Sequence, residues 1–187
     1  MEYRQPAYED TLLVAGCKRN DRVAQERLYR KYFELAYRIC NRYTPQQNDT
    51  LAVVNEGFLK IFRHIAEWEP EKGQLGAWIR RILINTALDH IRSLHRSVAH
   101  SPLETAVHLQ LNEEALDRIT ADELLKLVRS LPPVMQAVFN LYEVEGYSHK
   151  EIAGLMCITE STSRWHLTAA KKKLRNLFRE GQSVVSG

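Results

Sequence analysis

A chain of 187 residues with 44% apolar side chains is long enough for one medium or two small domains, each with its own core. No apolar run reaches membrane-spanning length, Met1-Glu2-Tyr3-Arg4-Gln5-Pro6 holds no apolar signal core, and Cys17, Cys40 and Cys157 are too scattered for a disulfide framework or a C-x-x-C metal site. A cytoplasmic protein without metal or cofactor is therefore expected. The net charge of +3 is unevenly spread, with 16 basic and 12 acidic side chains over 1–97, 1 and 5 over 98–122, and 9 and 6 over 123–187. Two basic blocks flanking an acidic bridge are compatible with a bipartite nucleic-acid binder.

The apolar spacing of Leu12, Val14 and Ala15 predicts a short helix over Asp10 to Cys17. Asn20 suits the left-handed residue that ends such a helix, and Asp21 suits the cap of the next. That next helix runs from Arg22 to about Tyr43 on Ala24, Leu28, Tyr32, Leu35, Ala36, Ile39 and Cys40, and Thr44-Pro45 closes it. Asp49 or Thr50 is expected to cap a third helix, striped by Leu51, Val54, Phe58, Ile61, Phe62 and Ile65. Its other face carries Asn55, Glu56, Lys60 and Arg63, residue types ordinarily found on a solvated face.

Pro70 and Gly73 make Trp68 to Gln74 a loop. Helical periodicity resumes at Leu75 and passes through Trp78, Ile79, Ile82, Leu83, Leu88, Ile91 and Leu94, interleaved with Arg80, Arg81, Asn85, His90, Arg92, His95 and Arg96. Aromatic, cationic and amide side chains so mixed can hold a single strand by stacking and charge, although a core Trp78 with ordinary surface arginines fits the same pattern. Residues 98–119 read as a flexible linker, with at most a transient helical turn near Asn112 to Arg118.

Thr120 with Glu123 forms a capping box ahead of a helix on Leu124, Leu127 and Val128, which Leu131-Pro132-Pro133 ends. Val134 to Tyr142 makes the next helix, ended by Glu143-Val144-Glu145-Gly146. Ser148 with Glu151 makes a further capping box, Ile152, Ala153, Leu155 and Met156 supply an apolar face, and Thr159 caps a last helix. From Ser161 to Arg179 that helix carries Arg164, Lys171, Lys172, Lys173, Arg175 and Arg179 and no carboxylate, which suits a groove lined by phosphates. Lysines late in a helix also complement its dipole, so this pair of helices alone leaves DNA binding open.

Assembled, the chain resembles an RNA polymerase sigma factor of the extracytoplasmic-function class, from Leu12 to Leu177. The resemblance rests on D-x-x-A-x-x-x-L-Y-x-x-Y over Asp21 to Tyr32, on Val54-Asn55-Glu56-Gly57-Phe58-Leu59-Lys60-Ile61-Phe62, and on Trp78-Ile79-x-Arg81-Ile82-x-x-Asn85-x-x-x-Asp89-x-x-Arg92. Leu131-Pro132-Pro133 and Gly146-Tyr147-Ser148-His149-Lys150-Glu151-Ile152-Ala153 complete it. It implies an all-α protein of two small helical domains. A four-helix region-two domain over 1–97 and a four-helix region-four domain with a helix-turn-helix over 120–187 would be joined by the flexible linker.

The same resemblance implies that Asn55, Glu56, Leu59, Lys60 and Arg63 face core RNA polymerase. It places Lys72, Trp78, Arg80, Arg81, Asn85 and Arg92 on the opened minus-ten element, with Asn85 at an extruded base of the nontemplate strand. Arg164, Trp165, Thr168, Lys171 and Lys172 then meet the minus-thirty-five element, Arg164 by base readout and Lys172 by phosphate contact. Promoter DNA, core polymerase and an anti-sigma factor are the implied partners, with no small-molecule substrate. Four departures bear on this. Leu51 and Ala52 stand where an acidic pair is frequent. Cys157 replaces the usual turn glycine, at a strain of roughly one kcal/mol if its φ is positive. Ser163 replaces an apolar residue, and Trp165 and His166 replace smaller or more basic ones. A stand-alone helix-turn-helix regulator would use the last domain but leave the third helix without a role. A metal-dependent hydrolase is disfavoured because His64 with Glu67, and Asp89 with His90, form no recognised ligand set.

Overall fold

The computed structural model describes residues 5–44, 46–98 and 121–185; the expected linker, apart from its first residue, and the Thr120–Glu123 capping box lie outside them. Among the described residues there is no strand, and no helix is long and apolar enough to cross a membrane. The helices are α1 (Gln5–Lys18), α2 (Arg22–Asn41), α3 (Gln47–His64), α4 (Leu75–Val98), α5 (Ala121–Arg129), α6 (Pro133–Phe139), α7 (His149–Met156) and α8 (Glu160–Val185). They fall into two compact units, divided within α4 after His90.

In the first unit α2 packs against both α1 and α3. Asn20 takes the left-handed conformation at φ 59°, and the Asp21 carboxylate accepts the backbone N–H of Val23 and Ala24 to start α2. Two glycines let helices approach closely: a Cβ on Gly16 would stand 2.4 Å from the Ala24 Cβ, and one on Gly57 2.6 Å from Leu83 Cδ2. The core then closes over Leu28, Ile39, Val54, Phe58, Ile61, Leu75, Ile79, Leu83 and Leu88. One polar contact is built into it, because the Tyr32 hydroxyl donates to Asp10 Oδ2 at 3.0 Å while Lys31 Nζ lies 3.0 Å from Asp10 Oδ1. Burial, and then that carboxylate, push the Tyr32 phenol far up, so it stays protonated as the donor.

Two helix starts differ from the expectation. The first helix begins at Gln5 rather than near Asp10. The third begins at Gln47, with Gln46 as a cap that makes no side-chain bond, so neither Asp49 nor Thr50 is its cap. Thr50 is instead buried, its hydroxyl 2.6 Å from that of Thr44 and 3.1 Å from Gln46 O. The loop before α4 is also more ordered than Pro and Gly alone imply. Pro70–Lys72 forms a single 3-10 turn, and the buried Trp68 donates its indole N–H to Gly73 O at 3.2 Å.

In the second unit Val128, Leu131, Ala170 and Leu174 form a core that Leu124, Leu127, Met135 and Phe139 cover. Ile152, Met156 and Leu167 are buried where α7 meets α8. Pro133 opens α6 in its first turn, where a missing N–H costs no bond. The helix expected to end at Tyr142 instead widens into a π turn over Asn140–Val144. The Ser148–Glu151 capping box is complete, with Ser148 N–H donating to Glu151 Oε2 at 2.8 Å and Glu151 N–H to Ser148 Oγ at 3.3 Å. Cys157 joins α7 to α8 at φ 55°, ψ 42°, so the strain anticipated for a non-glycine in this turn is present. Thr159 caps α8 by accepting the Thr162 N–H at 3.1 Å.

Candidate nucleic-acid and partner interfaces

Three exposed faces hold the residues singled out by the sequence. On α3, positions 55, 56, 59, 60 and 63 recur at three- and four-residue spacing, which places them on one side of the helix. Asn55, Glu56, Leu59 and Arg63 are exposed, Leu59 at 65% despite being apolar. Asn55 Oδ1 accepts the Tyr29 hydroxyl at 3.2 Å, which orients its amide. Lys60 is the exception to an open face. Its ammonium lies 3.1 Å from Glu56 and 3.0 Å from Asp89, so it braces α3 against α4. Burial works to lower the Lys60 pKa, but the hydrogen bonds that its ammonium donates to Asp89 and Glu56 outweigh it and raise the value.

On α4, Trp78, Arg81, Asn85 and Arg92 follow one another along one side of the helix, with Asp89 between the last two, but Arg92 is only half-exposed and its guanidinium donates to Leu155 O at 2.7 Å. Trp78 is half-exposed rather than core, Arg81 is exposed, and Asn85 is half-exposed. Arg80 is set apart. It shares its side of the helix with the buried Ile84, Ala87 and Ile91, so the interleaved arginines do not form one surface. Lys72 stands in the 3-10 turn before α4, exposed and 2.9 Å from Glu69.

On α8, Ser163, Leu167, Ala170 and Leu174 are the buried stripe, which leaves Arg164, Trp165, Thr168 and Lys172 on the opposite half. Arg164 and Thr168 are exposed and Trp165 is 40% exposed. The Arg164 guanidinium is held 3.0 Å from Glu160, one turn back. The Thr168 hydroxyl donates to Arg164 O at 3.0 Å, which restrains its side chain against the helix. Lys171 departs from the expected face, because it lies at the border with the buried stripe and its ammonium is 2.7 Å from Glu143 in the π turn. The structure thus brings Arg164, Trp165, Thr168 and Lys172 together and diverts Lys171.

Sequence reasoning missed two residues beside this face. Glu160 holds Arg164, and His149 holds Ser163, whose hydroxyl lies 2.9 Å from His149 Nδ1. Burial, then the Arg164 charge, hold His149 below the ordinary histidine pKa against a smaller upward pull from Glu160. The signal for the second pair was available, since Ser163 falls on the apolar stripe of α8 and so needs a partner.

The sequence model of sigma-70 region 2 matches residues 28–97, and that of sigma-70 region 4 matches residues 121–174. The chain is 25% identical over 196 residues to the ECF RNA polymerase sigma factor SigE of Mycolicibacterium smegmatis, covering 99% of this chain and 74% of that one. It is 25% identical over 179 residues to the ECF RNA polymerase sigma-E factor of Haemophilus influenzae, covering 89% and 94%. A solved structure of the sigma factor RpoE with the anti-sigma factor NepR from Bartonella quintana shares the fold, with a TM-score of 0.53 at 15% identity over 82% of this chain and 96% of that chain. Two sigma regions in order, with relatives of this kind along nearly the whole chain, assign it to the extracytoplasmic-function family of RNA polymerase sigma factors, which direct RNA polymerase to promoters.

Proposed function

We propose that the three exposed faces divide the work of promoter recognition, with domains over 1–97 and 120–187 joined by a linker over 98–119. The α3 face of Asn55, Glu56, Leu59 and Arg63 docks on core polymerase, with Lys60 shaping it from inside. The Trp78–Arg81–Asn85–Arg92 stripe of α4, with Lys72 ahead of it, takes the opened nontemplate strand: the indole stacks, the amide hydrogen-bonds a base edge and the cations meet phosphate. The α8 face enters the major groove of the upstream element, where Arg164 reads a base edge and Lys172 meets phosphate. The protein makes and breaks no covalent bond itself and works in the cytoplasm with the polymerase.

The observation that carries this reading is the division of exposed chemistry among three helices. An amphipathic face with Leu59 lies on α3, an aromatic and cationic stripe on α4, and a cationic face on α8. A stand-alone helix-turn-helix regulator accounts only for the last. Because a sigma factor of the same fold from Bartonella quintana is held by an anti-sigma factor, a protein inhibitor of that kind is proposed for this chain as well. The test is co-purification with core polymerase, followed by promoter-dependent transcription on supercoiled template. Failure to bind core polymerase at low salt would overturn the reading.

A further inference from the structure

Ser163 is fully buried on α8, one residue ahead of Arg164, and its hydroxyl meets His149 Nδ1 at 2.9 Å. His149 is the first residue of α7, and its ring stacks on Tyr142 of the π turn with centroids 4.6 Å apart and planes at 24°. The remaining buried contacts where α7 meets α8 are apolar, made by Ile152, Met156 and Leu167. Apolar contacts fill space but tolerate sliding, whereas a hydrogen bond to a buried hydroxyl is directional and costly to break.

We propose that the His149–Ser163 pair fixes the rotation of α8 against α7, which makes His149 a positioning residue for base readout by Arg164. The inference rests on the reading of α8 as the upstream DNA reader. Its physical basis is leverage. Recognition geometry has to be held within about 10–20°, and Ser163 is the α8 residue that a directional bond ties to the preceding helix at the level of Arg164. The Tyr142 ring fixes the plane of the imidazole, so the chain π turn, His149, Ser163 is continuous up to the backbone of Arg164. Glu160 restrains the other end of the same arginine. The serine that replaces an apolar residue here is thereby explained, because its hydroxyl has a built partner.

The test measures holoenzyme affinity, by fluorescence anisotropy, for a promoter duplex recovered by transcript mapping and for the same duplex with its upstream element scrambled. The ratio of the two affinities is the readout. Ser163→Ala and His149→Phe each lower this ratio about tenfold, and the double variant lowers it no further, because the second change removes a bond already lost. His149→Asn, whose amide sits where Nδ1 does, keeps the ratio near that of the parent. Affinity for the scrambled duplex, which reports phosphate contacts, is unchanged in all of them. Arg164→Ala serves as the control for α8, and an unchanged ratio there would bring down the reading of α8 itself. If Arg164→Ala lowers the ratio, three outcomes overturn the inference alone: single variants that keep the ratio, losses that multiply in the double variant, or a lowered melting temperature with the ratio intact.

Discussion

Lys171 Nζ lies 2.7 Å from Glu143 Oε1, so the first lysine of the Lys171-Lys172-Lys173 run is tied back to the π turn before α7. Lys172, one residue on, is half-exposed and lies on the side of α8 that carries Trp165 and Thr168. The two lysines therefore have different expected effects. Lys172→Ala weakens binding to every duplex alike and lowers the salt slope of binding by about one. Lys171→Ala lowers unfolding stability by about 0.2–1 kcal/mol, the range for a part-exposed ion pair, and moves the salt slope less. Affinity against salt concentration and a urea melt of each variant check this, and equal slopes for both would refute the division.

Leu59 is the apolar centre of the α3 face and is 65% exposed in the free protein. A large apolar side chain so placed has its use in a partner's contact surface, where it would be desolvated. Leu59→Asp is expected to weaken core polymerase binding by about 2 kcal/mol or more, roughly thirtyfold, without lowering the melting temperature. Lys60→Ala should behave in the opposite way. It removes the brace between Glu56 and Asp89, so its first effect is on stability. Core binding in a pull-down titration, read beside a thermal melt, separates the two.

On α4 the expected phenotype is kinetic. Asn85→Ala and Trp78→Ala are predicted to leave binding to closed duplex nearly intact and to reduce promoter opening, at about 1–3 kcal/mol per lost base contact. Arg80→Ala lies on the buried side and is predicted to act on stability instead. Permanganate reactivity of unpaired thymines in the promoter reports the opening directly. Normal opening in Asn85→Ala would remove this residue from the strand-binding stripe.

These contrasts also mark what could be read from the chain alone. The caps at Asn20, Asp21 and Ser148–Glu151 were legible because each is made between residues close in sequence, set by the orphan C=O groups of a helix end at Asn20 and by the orphan N–H groups of a helix start at the other two. The start of α3 was not legible, because the Thr50 hydroxyl that resembles a cap is drawn to Thr44, a contact made only once the chain has folded back. The π turn escaped because the periodicity of Val134 to Tyr142 is that of an ordinary helix. Arg80 could have been separated from Arg81 by the 3.6-residue repeat alone; grouping the arginines by their interleaving hid it. Lys171–Glu143 and Lys60–Asp89 join different helices or turns, and no local rule announces them, whereas for His149–Ser163 the apolar stripe of α8 shows that Ser163 needs a partner but not which one.

A pH effect follows from His149, which faces Arg164 and Glu160 and whose pKa is held below the ordinary 6.5 first by burial and then by the Arg164 charge. The unfolded chain takes up this proton more readily than the folded one as pH falls below about 6.5. The corresponding stability is present above that pH and is lost as pH drops toward the folded value. The parent should therefore lose urea stability between pH 7 and pH 5.5 more steeply than His149→Phe, which lacks the group. Parallel slopes would show that His149 titrates alike in both states.

The last prediction concerns the turn itself. Cys157 has φ 55° and ψ 42°, a left-handed conformation that costs a residue with a Cβ about 1–2 kcal/mol, and its side chain is exposed. The Cys157 and Ile158 N–H groups both turn back to Ala153 O, so the conformation is set by the end of α7 and cannot relax without losing these bonds. Glycine removes the strain but loses more entropy on folding, which offsets part of the gain. Cys157→Gly is therefore expected to raise stability by about 0.5–1 kcal/mol, and Cys157→Val, branched at Cβ, to lower it by at least as much. Urea midpoints of the two variants check both signs. Because the turn only joins α7 to α8 and no reading residue stands in it, Cys157→Gly should leave the preference for the upstream element unchanged; a shifted preference would mean that strain at this residue helps aim α8.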